Sequence, residues 1–156
     1  LDSDSSEFSW IYRERTDDEL QKIKEDLESM LSPINADKEF ERVRHEKIKE
    51  RNPNFPNNYI EHIKENIGKV DYIFVSSHLV VRQALESTGI KYFTIYPEID
   101  LLDEWVGRMY RRGNDKSFID FQIKHWNEFV NGIDAEPHGK SVRRLKSGQH
   151  IIDAMF

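Results

Sequence analysis

The stretch from residue 69 to residue 97, KVDYIFVSSHLVVRQALESTGIKYFTIYP, constrains the fold more than any other. It holds two short apolar runs, residues 70–75 and 92–96, rich in the β-branched and aromatic side chains that suit a pleated surface. Between them, residues 79–88 place Val80, Val81, Ala84 and Leu85 at helical spacing. Gly89 stands where a left-handed residue closes a helix. Neither run alternates strictly between apolar and polar, which predicts burial on both faces and hence a parallel sheet. The segment reads as a right-handed βαβ crossover in which 70–75 and 92–96 are adjacent strands, with Phe74 and either Phe93 or Ile95 buried. Ligands of such sheets sit beyond the carboxyl ends of the strands. Those ends carry Ser76, Ser77 and His78 on one strand and Tyr96 and Pro97 on the other.

A chain of 156 residues is long enough for one domain with a real core, and residues 1–156 are read as a single α/β domain. The formal charge of −6 argues against attachment to nucleic acid through bulk charge, though it leaves room for local basic patches. With no cysteine there are no disulfides, thiolate metal sites or cysteine nucleophiles, and the cytoplasm is the expected compartment. No apolar run approaches the ~20 residues of a membrane span.

The chain opens with Asp2-Ser3-Asp4. Two carboxylates in a D-x-D pair at a strand end can hold a magnesium hydration shell or take a proton from a substrate hydroxyl. Alternatively the segment caps a helix starting near Ser5. Residues 16–31 predict an amphipathic helix with a Thr16/Glu19 capping box, ended by Ser32-Pro33. A second helix is expected from Ala36 to about Arg51, with Phe40, Val43 and Ile48 as a thin apolar line among charges. Together these read as a helical arm inserted over residues 16–57. Asn52 to Asn58 is a break in which Phe55 pins the loop to the core. A helix from about Asn58 follows, with Tyr59, Ile60, Ile63 and Ile67 inward. Beyond Pro97, one helix from about Asp100 carries Arg108, Arg111 and Arg112 and stops at Gly113. The next begins at Asp115, and residues 142–145 form a possible last strand. His45, His62, His125, His138 and His150 show no metal-ligand spacing.

A strand, a crossover helix, a strand ending Tyr96-Pro97 and then L-x-x-x-x-x-R-x-x-x-R-G from Leu102 to Gly113 resembles the second half of small P-loop kinases of the nucleotide, shikimate and gluconate type. More narrowly, DSDSSEFSW, NFPNNYIEHIKENI, YIFVSSH and RRGND resemble a group of phage-encoded P-loop kinases over nearly the whole chain. The resemblance implies a three-layer P-loop-like parallel sheet with the helical arm inserted. It also implies ATP and Mg2+ as cofactors and phosphoryl transfer to a small hydroxyl or a nucleotide, including a hydroxymethylated base in phage DNA. Asp4 would then orient or deprotonate the acceptor and Asp2 would assist magnesium, while Arg108 and Arg112 would stabilise the transferring phosphate.

One departure stands out. No G-x-x-x-x-G-K-[ST] phosphate cradle occurs in the chain. Such a loop precedes the D-x-D strand in the resembling kinases, so it is expected upstream of Leu1. The other reading is a non-catalytic protein that keeps the fold and binds a nucleotide or a host protein. Several residues carry two readings. Arg108 and Arg112 either clamp phosphates or are cations favoured by a helix C-terminus. Arg82 either holds an acceptor phosphate or pairs with Glu86 one turn on. His78 and Ser76, at the strand end, either meet substrate or serve the local backbone.

Overall fold

The computed structural model describes residues 1–135 and 142–156. The protein is mixed α/β, and among the described residues its strands form three two-stranded sheets. Contacts gather the chain into two compact units, Leu1–Gly89 and Ile90–Phe156. His138 lies outside the described residues.

The first unit runs β1 (Asp2–Ser3), the single turn α1 (Ser6–Ser9), β2 (Trp10–Arg13), α2 (Asp17–Met30), α3 (Pro33–Val43), β3 (Ile48–Arg51), α4 (Asn57–Asn66), β4 (Phe74–Val75) and α5 (Leu79–Ser87). The capping box opens α2 as expected. Thr16 Oγ1 accepts from the Glu19 amide and the Glu19 carboxylate accepts from the Thr16 amide. Ser32-Pro33 separates α2 from α3, the proline occupying the first turn where its missing N–H costs nothing. In this helical pair α2 buries no residue fully and α3 buries only Ala36.

The expected helix from Ala36 to Arg51 is corrected. The α3 helix ends at Val43, and β3 pairs antiparallel with β2. The reason is in the spacing. From Val43 the next apolar residue is Ile48, five positions on, where a helical stripe needs one after three or four. Glu46 and Lys47 occupy those places, whereas I-K-E-R alternates at the period of a strand. The sheet is held on one side by Arg13, which donates to Glu50 at 3.0 Å and to both carboxylate oxygens of Glu19 at 2.8 Å.

That contact makes a pH prediction. The Arg13 hydrogen bonds, followed by the Thr16 amide, lower the Glu19 carboxyl from 4.5 to about 2. A depressed carboxyl stabilises the fold above its unfolded value and loses that contribution as pH falls through the folded value. The gap in urea midpoint between wild type and Glu19→Gln should therefore be constant at neutral pH and close between pH 4.5 and about 2. The effect should be small because the pair is exposed to solvent. A gap that stays constant through the acid range would contradict it.

The core of the first unit lies between α4 and α5, which pack together and bury Tyr59, Ile60, Ile63, Val81 and Leu85. Phe55 stacks on Tyr59 with ring centroids 6.3 Å apart, so the proline-flanked loop is pinned as expected. Gly89 closes α5 with φ +73°, a conformation that β-carbon sterics disfavour in other residues.

The second correction concerns the central strands. β4 takes β1 as its parallel neighbour, with Asp2 opposite Phe74 and Ser3 opposite Val75, and it does not pair with the run 92–96. The strand is short because Gly68, at φ +81°, turns the chain and the backbone of Val70 is committed to a bridge with Ile67. Phe74 is 41% exposed. A run that reads as continuous apolar strand is thus spent partly on a turn.

The second unit runs β5 (Thr94–Pro97), a 3-10 turn (Ile99–Leu101), α6 (Leu102–Arg111), α7 (Lys116–Asp134), β6 (Val142–Leu145) and α8 (Ile151–Met155). β5 and β6 are parallel, with Tyr96 opposite Arg144. Tyr96, Trp126, Val130 and Ile133 form the core cluster, and Leu102, Trp105 and Val142 pack against it. The Trp126 indole donates to the Ile99 carbonyl at 2.7 Å, so its one polar atom is satisfied. Asp115 caps α7 by accepting from the Phe118 amide. Thr94 and Tyr96 are buried; of the two residues offered for burial, Phe93 is 65% exposed with the Arg143 guanidinium over its ring. Ile95 is half-buried. Among the described residues no helix is long and apolar enough to cross a membrane.

Candidate functional site

In the first unit the parallel pairing of β1 and β4 brings two strand ends side by side. Beyond β1 come Asp4, Ser5 and Ser6; beyond β4 come Ser76, Ser77 and His78. One buried side chain joins the two ends from beneath. The Tyr59 hydroxyl donates to the Ser3 carbonyl at 2.5 Å and accepts from the Ser76 amide at 3.2 Å. A second tie crosses above it, where the Ser5 amide donates to Ser76 Oγ at 3.1 Å. Both donors would otherwise end unpaired at the edge of a two-residue ladder.

Five of the residues singled out in the sequence lie on this edge or just behind it. Asp2, within β1, and Asp4, one residue past its end, are both exposed. Asp4 Oδ1 accepts from the Ser6 amide at 2.8 Å; its second oxygen has no protein partner among the described residues. The Ser6 contact serves the local turn and leaves the second oxygen of Asp4 open to solvent. Ser76 is half-buried and serves the backbone through its hydroxyl. His78 occupies the N-cap position of α5 and is exposed, with no cap bond from its side chain. Arg82 is 7% exposed, and its guanidinium donates to the Ser77 carbonyl. That contact holds the loop between β4 and α5 in place.

No family model, curated protein or solved structure matches this chain. The site therefore stands on its geometry alone.

In the second unit Arg108 and Arg112 follow one another along α6 and fare differently. Arg108 donates to Glu104 at 2.5 Å and to the Gln149 carbonyl at 2.7 Å, and its guanidinium lies 4.3 Å from the Trp105 ring centroid. Glu104 also accepts from Ser147 Oγ and from the Gly148 amide. These two contacts, ahead of Arg108, lower its carboxyl below the usual range. Arg108 is thereby the centre of a latch between α6 and the turn before α8. Arg112 is exposed at the C-cap of α6, where its charge meets the helix dipole favourably, and it has no ion pair among the described residues.

Two features carried no sequence signal strong enough to find. Tyr59 reads as one more inward apolar residue of NNYIEHI, and only the pairing of β1 with β4 gives its hydroxyl two partners. The latch on Glu104 joins residues more than forty positions apart, a separation at which charge spacing along one helix is silent.

Mg2+ takes one or two protein carboxylates and completes its octahedron with waters and phosphate oxygens. Asp2 and Asp4 fit that thin ligand set, and among the described residues no group of three or more histidine or acidic side chains converges on one point. The chain's own sequence supplies no glycine-rich cradle for a triphosphate.

Proposed function

We propose that the β1–β4 edge receives the accepting hydroxyl in an ATP- and Mg2+-dependent phosphoryl transfer. The acceptor class is a small hydroxyl compound or a nucleotide, with a hydroxymethylated base in DNA as one member. The observation that carries this reading is the position of Asp4, one residue past a strand end, tied alongside the end of β4 through Ser5 and Ser76 and with one carboxylate oxygen free. In that place Asp4 orients the hydroxyl and takes its proton as the bond to phosphorus forms. Asp2 would hold Mg2+, whose chemistry is to bridge and neutralise phosphate oxygens. Ser77 and His78 would line the acceptor, and Arg82 keeps their loop in register.

The test is transfer of label from γ-labelled ATP by the protein, with and without Mg2+, across hydroxyl, nucleotide and DNA acceptors. Mg2+-dependent labelling of one acceptor class is the expected result. A second reading, a non-catalytic protein that binds a nucleotide or a host protein, is favoured by the engagement of Arg108. It takes over if ATP is bound without transfer to any acceptor, or not bound at all.

A further inference from the structure

We propose that the open face of the β2–β3 sheet binds single-stranded nucleic acid, stacking a base on Tyr12 and holding phosphates with Lys49 and Arg51. The antiparallel register sets Trp10 opposite Arg51 and Tyr12 opposite Lys49. Directly opposed residues share a face, as do residues two apart on one strand. These four side chains therefore make one surface. Ile11, Arg13, Ile48 and Glu50 make the other, where Arg13 is taken up by Glu19 and Glu50. The sheet sorts its charges in this way, with carboxylate partners behind and cations in front.

The front is built for a polyanion with flat rings. Lys49 Nζ lies 4.6 Å and the Arg51 guanidinium 4.2 Å from the Trp10 ring centroid, so the indole keeps both cations on the face. Neither cation has an ion-pair partner among the described residues. Tyr12 is 63% exposed and no other ring packs on it among the described residues. A shallow depression of about 350 Å³ beside it is lined by Ser6, Glu7, Trp10, Tyr12 and Lys49. Glu7 repels phosphate at that rim, which leaves the backbone of the bound strand to the Lys49 and Arg51 side. A stacked base needs an unpaired π-face, so a single strand is preferred over a duplex. With a net charge of −6 the attraction is local to this face. The inference is independent of phosphoryl transfer, because binding is read with neither ATP nor Mg2+ present.

The probe is a labelled oligothymidylate of roughly 15 nucleotides, a length that covers one small site, followed by fluorescence anisotropy over a salt series with the full chain. Tyr12→Ala should weaken binding by about 5- to 150-fold, and Tyr12→Phe should leave it intact because stacking uses the ring. Lys49→Gln with Arg51→Gln should lower the slope of log affinity against log salt by about 1.4, two phosphate contacts on a single strand. Lys22→Gln, an exposed change on α2, should do neither. These side chains are exposed, and circular dichroism confirms that each variant folds. Absence of binding, an unaffected Tyr12→Ala, an unchanged salt slope, or tighter binding of the matched duplex would each overturn the proposal.

Discussion

Tyr59→Ala should destabilise the first unit by about 3–5 kcal/mol, the range for removing a large buried ring. Tyr59 is fully buried and is one of the largest side chains sealed in that core. Its ring also packs against Phe8, at 5.1 Å between centroids, and against Phe55. The subtler variant separates packing from the strand tie. Tyr59→Phe keeps the ring but leaves the Ser3 carbonyl and the Ser76 amide without their shared partner. It should cost about 1–3 kcal/mol, the penalty of unsatisfied buried groups. Urea denaturation gives both values, and amide exchange at Ser76 should accelerate in Tyr59→Phe more than exchange inside α2. A neutral Tyr59→Phe would mean that the two strand ends are held by something other than this hydroxyl.

Much of the helical content was legible because its signals are local. Thr16 with Glu19, Ser32-Pro33, Asp115 and the glycines at 89 and 113 act within one turn of the chain, and each marks an end that the structure keeps. The strands were harder. Residues 142–145 were readable as a strand, and two of the three pairings are parallel as expected, whereas the antiparallel pairing of β2 with β3 was not foreseen. Which strand pairs with which was not readable, because partner choice depends on contacts across about seventy residues, such as Phe74 donating its amide to Leu1. The segment 48–51 was misread because Phe40, Val43 and Ile48 resemble a helical stripe until the five-residue gap is weighed. At the candidate site, the residue types at the strand ends were legible from Asp2, Asp4, Ser76 and His78. The tie that unites them was not, since it runs through Tyr59 and the Ser5 backbone. Arg108 shows the opposite limit. Its sequence context suits a phosphate clamp, while its fold-level partners are Glu104 and Gln149.

The second large effect concerns Asp4. On the proposed reading its carboxylate has two tasks that substitution can separate. One oxygen caps the Ser6 amide, and the other is free to meet an acceptor hydroxyl. Asn is as good a cap as Asp, so Asp4→Asn preserves the turn, whereas Asp4→Ala removes both tasks and should cost about 0.5–2 kcal/mol of stability. A general base contributes on the order of 10²–10⁴ in rate. The protein carrying Asp4→Asn should therefore bind nucleotide as wild type does, melt at nearly the same temperature, and transfer phosphate about 10²- to 10⁴-fold more slowly. Turnover of Asp4→Asn within a few-fold of wild type, with the protein folded and nucleotide bound, would contradict the assignment of the β1–β4 edge as the place where the acceptor reacts.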